Sequence, residues 1–387
     1  MTALNLKKIQ DIPVNSVVLI WAREALALSR SVAAERSGIA LKRLAQLENS
    51  EKQPTLDELR LLSKTYRRTI ATLLLSRPPK EKPLPIDRRT VDSKFIGNFH
   101  EKTILAIRKA RALSMSLMEL KNEAGLSIPK LQLRATIDDN FRKIARWVRE
   151  FLQLHEVREF DNINLALDTY IEKVESLGIA VFQLSLTQDG VRGFSIVDEA
   201  IPIIGIKRGG ESTTAKIFTL FHELGHILLN AGGICDLSEN TTQDIEKWCN
   251  GFAAEVLIPT AELLKQDIVK AQSLKGEKIW PRQDLIHLGQ IFHVGPLAIL
   301  RTLLENSLTT SEFYKMKHEA WNKPSFGRSK TPEGRNVAKE TIKEKGRTYI
   351  SLAFKAFDQN RIDLKDLSDY LGVKLSYIPR TRQLLSA

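Results

Sequence analysis

Two histidines and a glutamate stand at H-E-x-x-H spacing in His222-Glu223-Leu224-Gly225-His226. On a helix, residues four apart share a face, one turn above the other. The two imidazoles are then placed to grip one metal ion. Glu223, turned aside, is placed to take a proton from an attacking water. A catalytic zinc keeps three protein ligands, so one more is needed. Glu246, 20 residues after His226, is the best candidate, with Asn250 one turn further on to hold its carboxylate or a helix end. Glu255 and Glu239 are rivals: the first points to another helix face and the second falls in a loop. The competing reading is a chance motif on a solvated helix. Ile217 to Phe221 before the motif and Ile227 to Leu229 after it are largely apolar. That wrapping buries the helix, and two imidazoles and a carboxylate buried without a metal would be costly. A closed structural zinc site is disfavoured because Cys235 and Cys249 are the only cysteines and neither has a C-x-x-C partner.

The elements that must position these groups follow from local pattern. The motif helix is expected to start at Ser212 or Thr213 as N-cap. A turn around Gly232-Gly233 should lead to a second helix carrying Glu246, with Trp248, Phe252 and Val256 as its apolar stripe. Three strands should precede the motif, at Ile179–Phe182, Gly193–Val197 and Ile201–Ile206, with turns at Asp189-Gly190 and Asp198-Glu199. Helices near 140–154 and 161–177 come before that sheet, and 281–306 reads as a helical lobe behind it. The strand near Ile203, or its neighbour, is expected to be an edge able to align an extended peptide. His287, His293 and Tyr314 are candidates for stabilising an oxyanion, each weighed against an ordinary packed or surface role. Cys249 reads as a small packing residue.

The run Phe218 to His226, followed by Glu246-x-x-Cys249-Asn250-x-Phe252-Ala253-Ala254-x-x-Leu257-Ile258-Pro259, resembles the ImmA/IrrE family of metallopeptidases. Arg192-Gly193-Phe194 and Ile201-Pro202-Ile203-Ile204 resemble that family's strand region, and the likeness covers about residues 165–265. The resemblance implies a zincin-like domain with zinc held by His222, His226 and Glu246 and Glu223 as general base. It also implies cleavage of a regulatory protein such as a repressor.

A second pattern lies at the other end. Residues 16–76 read as five short helices, with Ser29 or Ser31 capping the second and Gly38 supplying the turn into the third. Helix, Gly turn and helix is the order of helix-turn-helix units. The run Gly38 to Glu48, then Gln53-Pro54-Thr55-Leu56, resembles Cro/C1-type (XRE) DNA-binding domains. By that resemblance Lys42, Arg43 and Gln46 face bases or phosphates, and Arg30 and Lys52 touch the backbone. The bland alternative is a helical bundle used for protein contacts.

Charge is unevenly spread. Residues 1–100 hold 18 Lys+Arg against 10 Asp+Glu, residues 301–387 hold 17 against 10, and residues 101–300 hold 23 against 26. The basic excess of the two ends suits a polyanion partner. The sequence has no run of membrane-spanning length and no signal-peptide layout at its start, so no membrane partner is expected. Two lone cysteines fit a reducing, cytoplasmic setting.

At 387 residues two or three domains are expected. Pro78-Pro79-Lys80-Glu81-Lys82-Pro83-Leu84-Pro85 is the clearest linker, since its four prolines forbid helix. A second boundary falls near Asn322 to Arg335. The expected fold class is α+β, mostly helical. The division is 1–77 a helix-turn-helix domain, 78–135 a linker and helical connector, 136–321 a zincin-like domain and 335–387 a helical C-terminal domain. The leading functional reading is a DNA-binding regulator with a zinc-dependent endopeptidase domain acting on a repressor-like protein. The other is a DNA-binding antitoxin or transcription regulator whose zincin-like domain binds a toxin or signal with little proteolysis. Paired operator half-sites would require a homodimer, which either reading allows.

Overall fold

The computed structural model describes residues 11–87, 99–127, 131, 133–156, 162–186, 191–235, 244–321 and 336–385. The turn expected at Asp189-Gly190, the boundary at Asn322 to Arg335 and the rival ligand Glu239 lie outside them. The fold is α+β and mostly helical. Its contacts divide it into two compact units, residues 1–84 with 97–105 and residues 85–96 with 106–387.

The first unit holds the five short helices read from the sequence: α1 (Ser16–Glu24), α2 (Arg30–Ser37), α3 (Leu41–Glu48), α4 (Leu56–Tyr66) and α5 (Ile70–Leu73). Side-chain caps fix most of their starts. Ser29 accepts from Val32 N at the head of α2, and Thr55 and Glu58 form a capping box on α4. Gly38, at φ +71°, ends α2 in the left-handed conformation that lets α3 turn away. Leu19, Ala22, Leu44, Leu47, Leu59 and Tyr66 form the centre of its core, joined by Ile104 from the first turns of the helix α6 (Glu101–Glu123).

The second unit contains the sheet. Helices α7 (Phe141–Phe151) and α8 (Ile163–Glu175) precede its main strands, as the sequence predicts. With β1 (Ile86–Asp87), β2 (Ala180–Leu184), β3 (Gly193–Ile196), β4 (Ile203–Lys207) and β5 (Gly233–Cys235), the strand order is β1-β5-β3-β4-β2. β3 runs antiparallel to β4 and β5, while β2 with β4 and β1 with β5 are parallel pairs. Three of these strands match the sequence reading. β1 and β5 were not anticipated, because two- and three-residue strands carry no alternation to detect. Gly232-Gly233 is therefore not a simple turn: Gly233 opens a strand that pairs with β1. The strand near Ile203 is β4, which lies inside the sheet between β3 and β2 and is not an edge; its neighbour β2 is.

Helix α9 (Thr213–Leu228) crosses β3 and β4, and α10 (Asp244–Leu257) packs on α9 and α7. The core between these layers gathers Leu220, Leu224, Ile227, Trp248, Phe252 and Val256. Further helices follow, including Arg282–Ile291, Pro296–Glu305, Val337–Lys345 and Arg347–Asp358. No helix among the described residues is long and apolar enough to cross a membrane.

Candidate metal centre

Helix α9 begins at Ser212, whose hydroxyl accepts from Ala215 N at 3.1 Å. Every residue from Thr219 to Leu228 is buried. A glycine in a helix costs about 1 kcal/mol relative to alanine, yet Gly225 stands between the two histidines. A Cβ there would come within 3.2 Å of both Cys249 Sγ and Phe252 Cδ1. The missing side chain thus lets α9 and α10 approach closely, which brings the first turn of α10, and Glu246, to the histidine face. Asn230, at φ +51°, ends the α9 segment and starts the return.

His222, His226 and Glu246 converge as one buried group. His222 Nε2 lies 3.1 Å from His226 Nε2. Glu246 Oε2 is 3.2 Å from His222 Nε2, and Oε1 is 3.3 Å from His226 Nε2. Zinc bonds of about 2.0–2.1 Å at tetrahedral angles separate ligand atoms by about 3.3–3.4 Å. The observed triangle is close to one face of such a tetrahedron. Protons alone fill it poorly, because two Nε2 atoms facing each other can share one proton, and a second would set two N–H groups head to head. The donor set of two imidazoles and a carboxylate therefore fits a zinc-class cation.

Electrostatics agree. Burial opposes the charge on Glu246, but hydrogen bonds from His222 and His226 outweigh it and hold the carboxyl well below the usual range. Its place in the first turn of α10 adds the favourable end of the helix dipole.

Glu223 behaves oppositely. Burial pushes its proton affinity well above the ordinary value, the Ser195 hydroxyl opposes the shift, and the charge of Glu246 adds to it. Neither Glu223 oxygen has a well-formed hydrogen bond among the described residues. A buried carboxyl of raised proton affinity, next to a cation site, is suited to accept and return a proton. Its place is set by β3: a Cβ on Gly193 would lie 2.8 Å from Glu223 Oε1 and 2.6 Å from Thr219 Cγ2. Gly193 thus opens the space the carboxylate occupies, a role the H-E-x-x-H spacing does not reveal.

The other candidates are placed as follows. Asn250 is half-buried one turn beyond Glu246 on α10. Glu255 accepts from Thr260 N at 3.2 Å and Thr260 Oγ1 at 2.8 Å, so it caps the next helix. His293 is buried with Nδ1 3.0 Å from the Tyr170 hydroxyl. Tyr314 packs under the Arg301 guanidinium, 5.7 Å from its ring centre, and His287 is exposed. Cys249 is buried in the α9–α10 contact and forms no disulfide.

In the first unit, Lys42 and Lys52 are exposed and Gln46 is half-buried. Arg43 is held by Glu58 through Nε at 2.7 Å and Nη2 at 2.8 Å, and donates to Gln53 O. Arg30 Nε is 2.8 Å from Glu48 Oε2, while Arg23 Nε is 2.7 Å from Oε1 of the same carboxylate. Both arginines proposed for nucleic acid thus also serve the packing of the bundle. Sequence spacing missed these partners because they lie 15 and 18 residues away on other helices.

Two comparisons bear on this arrangement. Residues 174–301 match the family described as IrrE N-terminal-like domain, Peptidase M78, and residues 19–73 match a helix-turn-helix family. The first match spans α9, α10 and all four residues of the centre. No curated protein matches the chain significantly.

Proposed function

We propose that this chain, which carries a Cro/C1-type helix-turn-helix domain and an IrrE-like metallopeptidase domain, is a DNA-binding regulator that cleaves a regulatory protein with a zinc-dependent endopeptidase site. The observation that carries the reading is the 3.1–3.3 Å triangle of His222, His226 and Glu246 beside the buried Glu223. The three residues of the triangle would hold zinc. When bound, the metal would polarise a scissile carbonyl and make water more acidic. Glu223 accepts the proton of the attacking water and delivers it to the leaving amine. Glu246 stays ionised, as a metal-binding carboxylate must. Asn250, one turn beyond, is the candidate to steady that carboxylate. Lys42, Gln46 and Lys52 are the groups available to bases and phosphates, with Arg43 and Arg30 contributing from their ion pairs.

The test compares wild-type chain with Glu223→Gln and Glu246→Ala, measuring zinc content and cleavage of proteins encoded beside it. One zinc per chain in wild type and Glu223→Gln, cleavage by the wild type alone, and loss of zinc in Glu246→Ala are expected. Unchanged regulation by Glu223→Gln in cells would reject proteolysis and leave the toxin- or signal-binding platform. Zinc retained by Glu246→Ala would reject the ligand set.

A further inference from the structure

The sheet has two edges, and they differ in distance from the centre. Gly193 on β3 lies under the Glu223 carboxylate, and Gly193 pairs with Cys235 of β5. β5 is therefore one strand spacing, about 4.8 Å, from the backbone beneath Glu223. The far edge, β2, is separated from β3 by β4, and the helix Val337–Lys345 packs on it. An extended peptide that adds to this sheet beside Glu223 must therefore pair with β5, since peptides dock on sheet edges through main-chain hydrogen bonds.

That position is taken by the chain itself. Ile86 pairs with Gly233 and Asp87 with Ile234. Running parallel to β5, these residues head toward Cys235, the end that faces Gly193. They directly follow Pro83-Leu84-Pro85, whose prolines fix their own φ and hold Leu84 extended. The segment thus arrives pre-set in the conformation a docking strand needs, at a reduced entropic cost. Among the described residues the pairing is slight: β1 comprises Ile86 and Asp87, and Ile86 is 63 % exposed. A strand that short is displaceable by a longer one.

We propose that Ile86–Asp87 is a built-in occupant of the β5 edge, which an extended peptide must displace to reach Glu223. The inference rests on the endopeptidase reading for its inhibitory consequence, and on the strand pairing alone for the occupancy.

The test uses the full, zinc-loaded chain and the double variant Ile86→Pro with Asp87→Pro. The missing N–H groups end β1's donation to β5, and the rings block the close strand approach. β1 then leaves and the β5 amides lose their acceptors, while the segment stays extended. Ile86→Ala, which retains the N–H groups, is the control. Hydrogen exchange at the Gly233–Cys235 amides facing β1 should be at least about 10-fold faster in the proline variant than in wild type or control. Equal exchange overturns the occupancy. With unfolded casein as the peptide probe, the proline variant should cleave several-fold faster than wild type, and equal rates overturn the inhibition. If neither chain cleaves casein, the inhibition falls together with the peptidase reading, whereas the exchange measurement still decides the occupancy.

Discussion

At the scale of single residues, two positions of the centre separate chemistry from scaffolding. Glu223→Gln preserves shape and removes the base, so cleavage should fall by about 10²–10⁴-fold with zinc content unchanged, measured by turnover and metal analysis on one sample. Gly193→Ala acts on the same carboxylate from the opposite side. Its methyl would meet Glu223 Oε1 and Thr219 Cγ2, an overpacking that costs about 1–3 kcal/mol. Thermal unfolding should report that loss together with lost cleavage, and an unaltered chain would show that β3 does not position Glu223. The clustering of His222, His226 and Glu246 was legible in the sequence because helical spacing fixes His222 against His226, and the apolar wrapping declared them buried. Glu246 needed only a second helix returning within its 20-residue separation. The partners of Arg30 and Arg43 were not legible, since an ion pair between helices depends on how those helices cross.

At the scale of elements, packing carries two buried carboxyl groups whose loss or titration should be felt. Glu48 in α3 joins Arg23 of α1 to Arg30 of α2. Glu48→Ala would remove the buried carboxylate that pairs with Arg23, leaving it only the exposed Glu24 and the Leu28 carbonyl, and should lower stability by up to about 3–5 kcal/mol, read by urea unfolding. In the second unit, Glu175 at the end of α8 accepts from Thr348 on the helix Arg347–Asp358. Burial raises its carboxyl to about 8, against the opposing hydrogen bonds from Thr348 and Val181 N. Its folded-state affinity for the proton exceeds that of the unfolded chain, whose carboxyl titrates near 4.5. The stabilisation is whole below that value and is withdrawn as pH rises through about 8. Unfolding free energy should therefore fall across this window in wild type and much less in Glu175→Gln; parallel curves would show that Glu175 does not titrate so. Periodicity located α7 to α10 and the three longer strands within a few residues. It was blind to β1 and β5, whose existence depends on a neighbour supplied from far along the chain.

At the scale of the whole molecule, the two parts call for different probes. If the centre holds zinc as proposed, and only when folded, zinc at about 1,000 times its Kd should add about 4 kcal/mol to the stability of the second unit. Glu246→Ala should gain none of it in a calorimetric scan. Nucleic-acid binding by the basic amino-terminal part should weaken steeply with salt, and Lys42→Ala should lower the logarithmic salt slope by about 1. An unchanged slope would remove Lys42 from the phosphate contacts.

The order in which the two units become complete during synthesis has a consequence of its own. The first unit closes with Leu105, whereas β5 and α10 are not finished until Leu257. The first unit is a small bundle of short helices, a topology class that folds fast. At about 5–20 residues per second, the roughly 150 intervening residues take on the order of 10–30 s to translate. For that interval a nascent chain presents the helix-turn-helix while the proposed metal centre does not yet exist, so on the proposed function operator engagement can precede any capacity to cut.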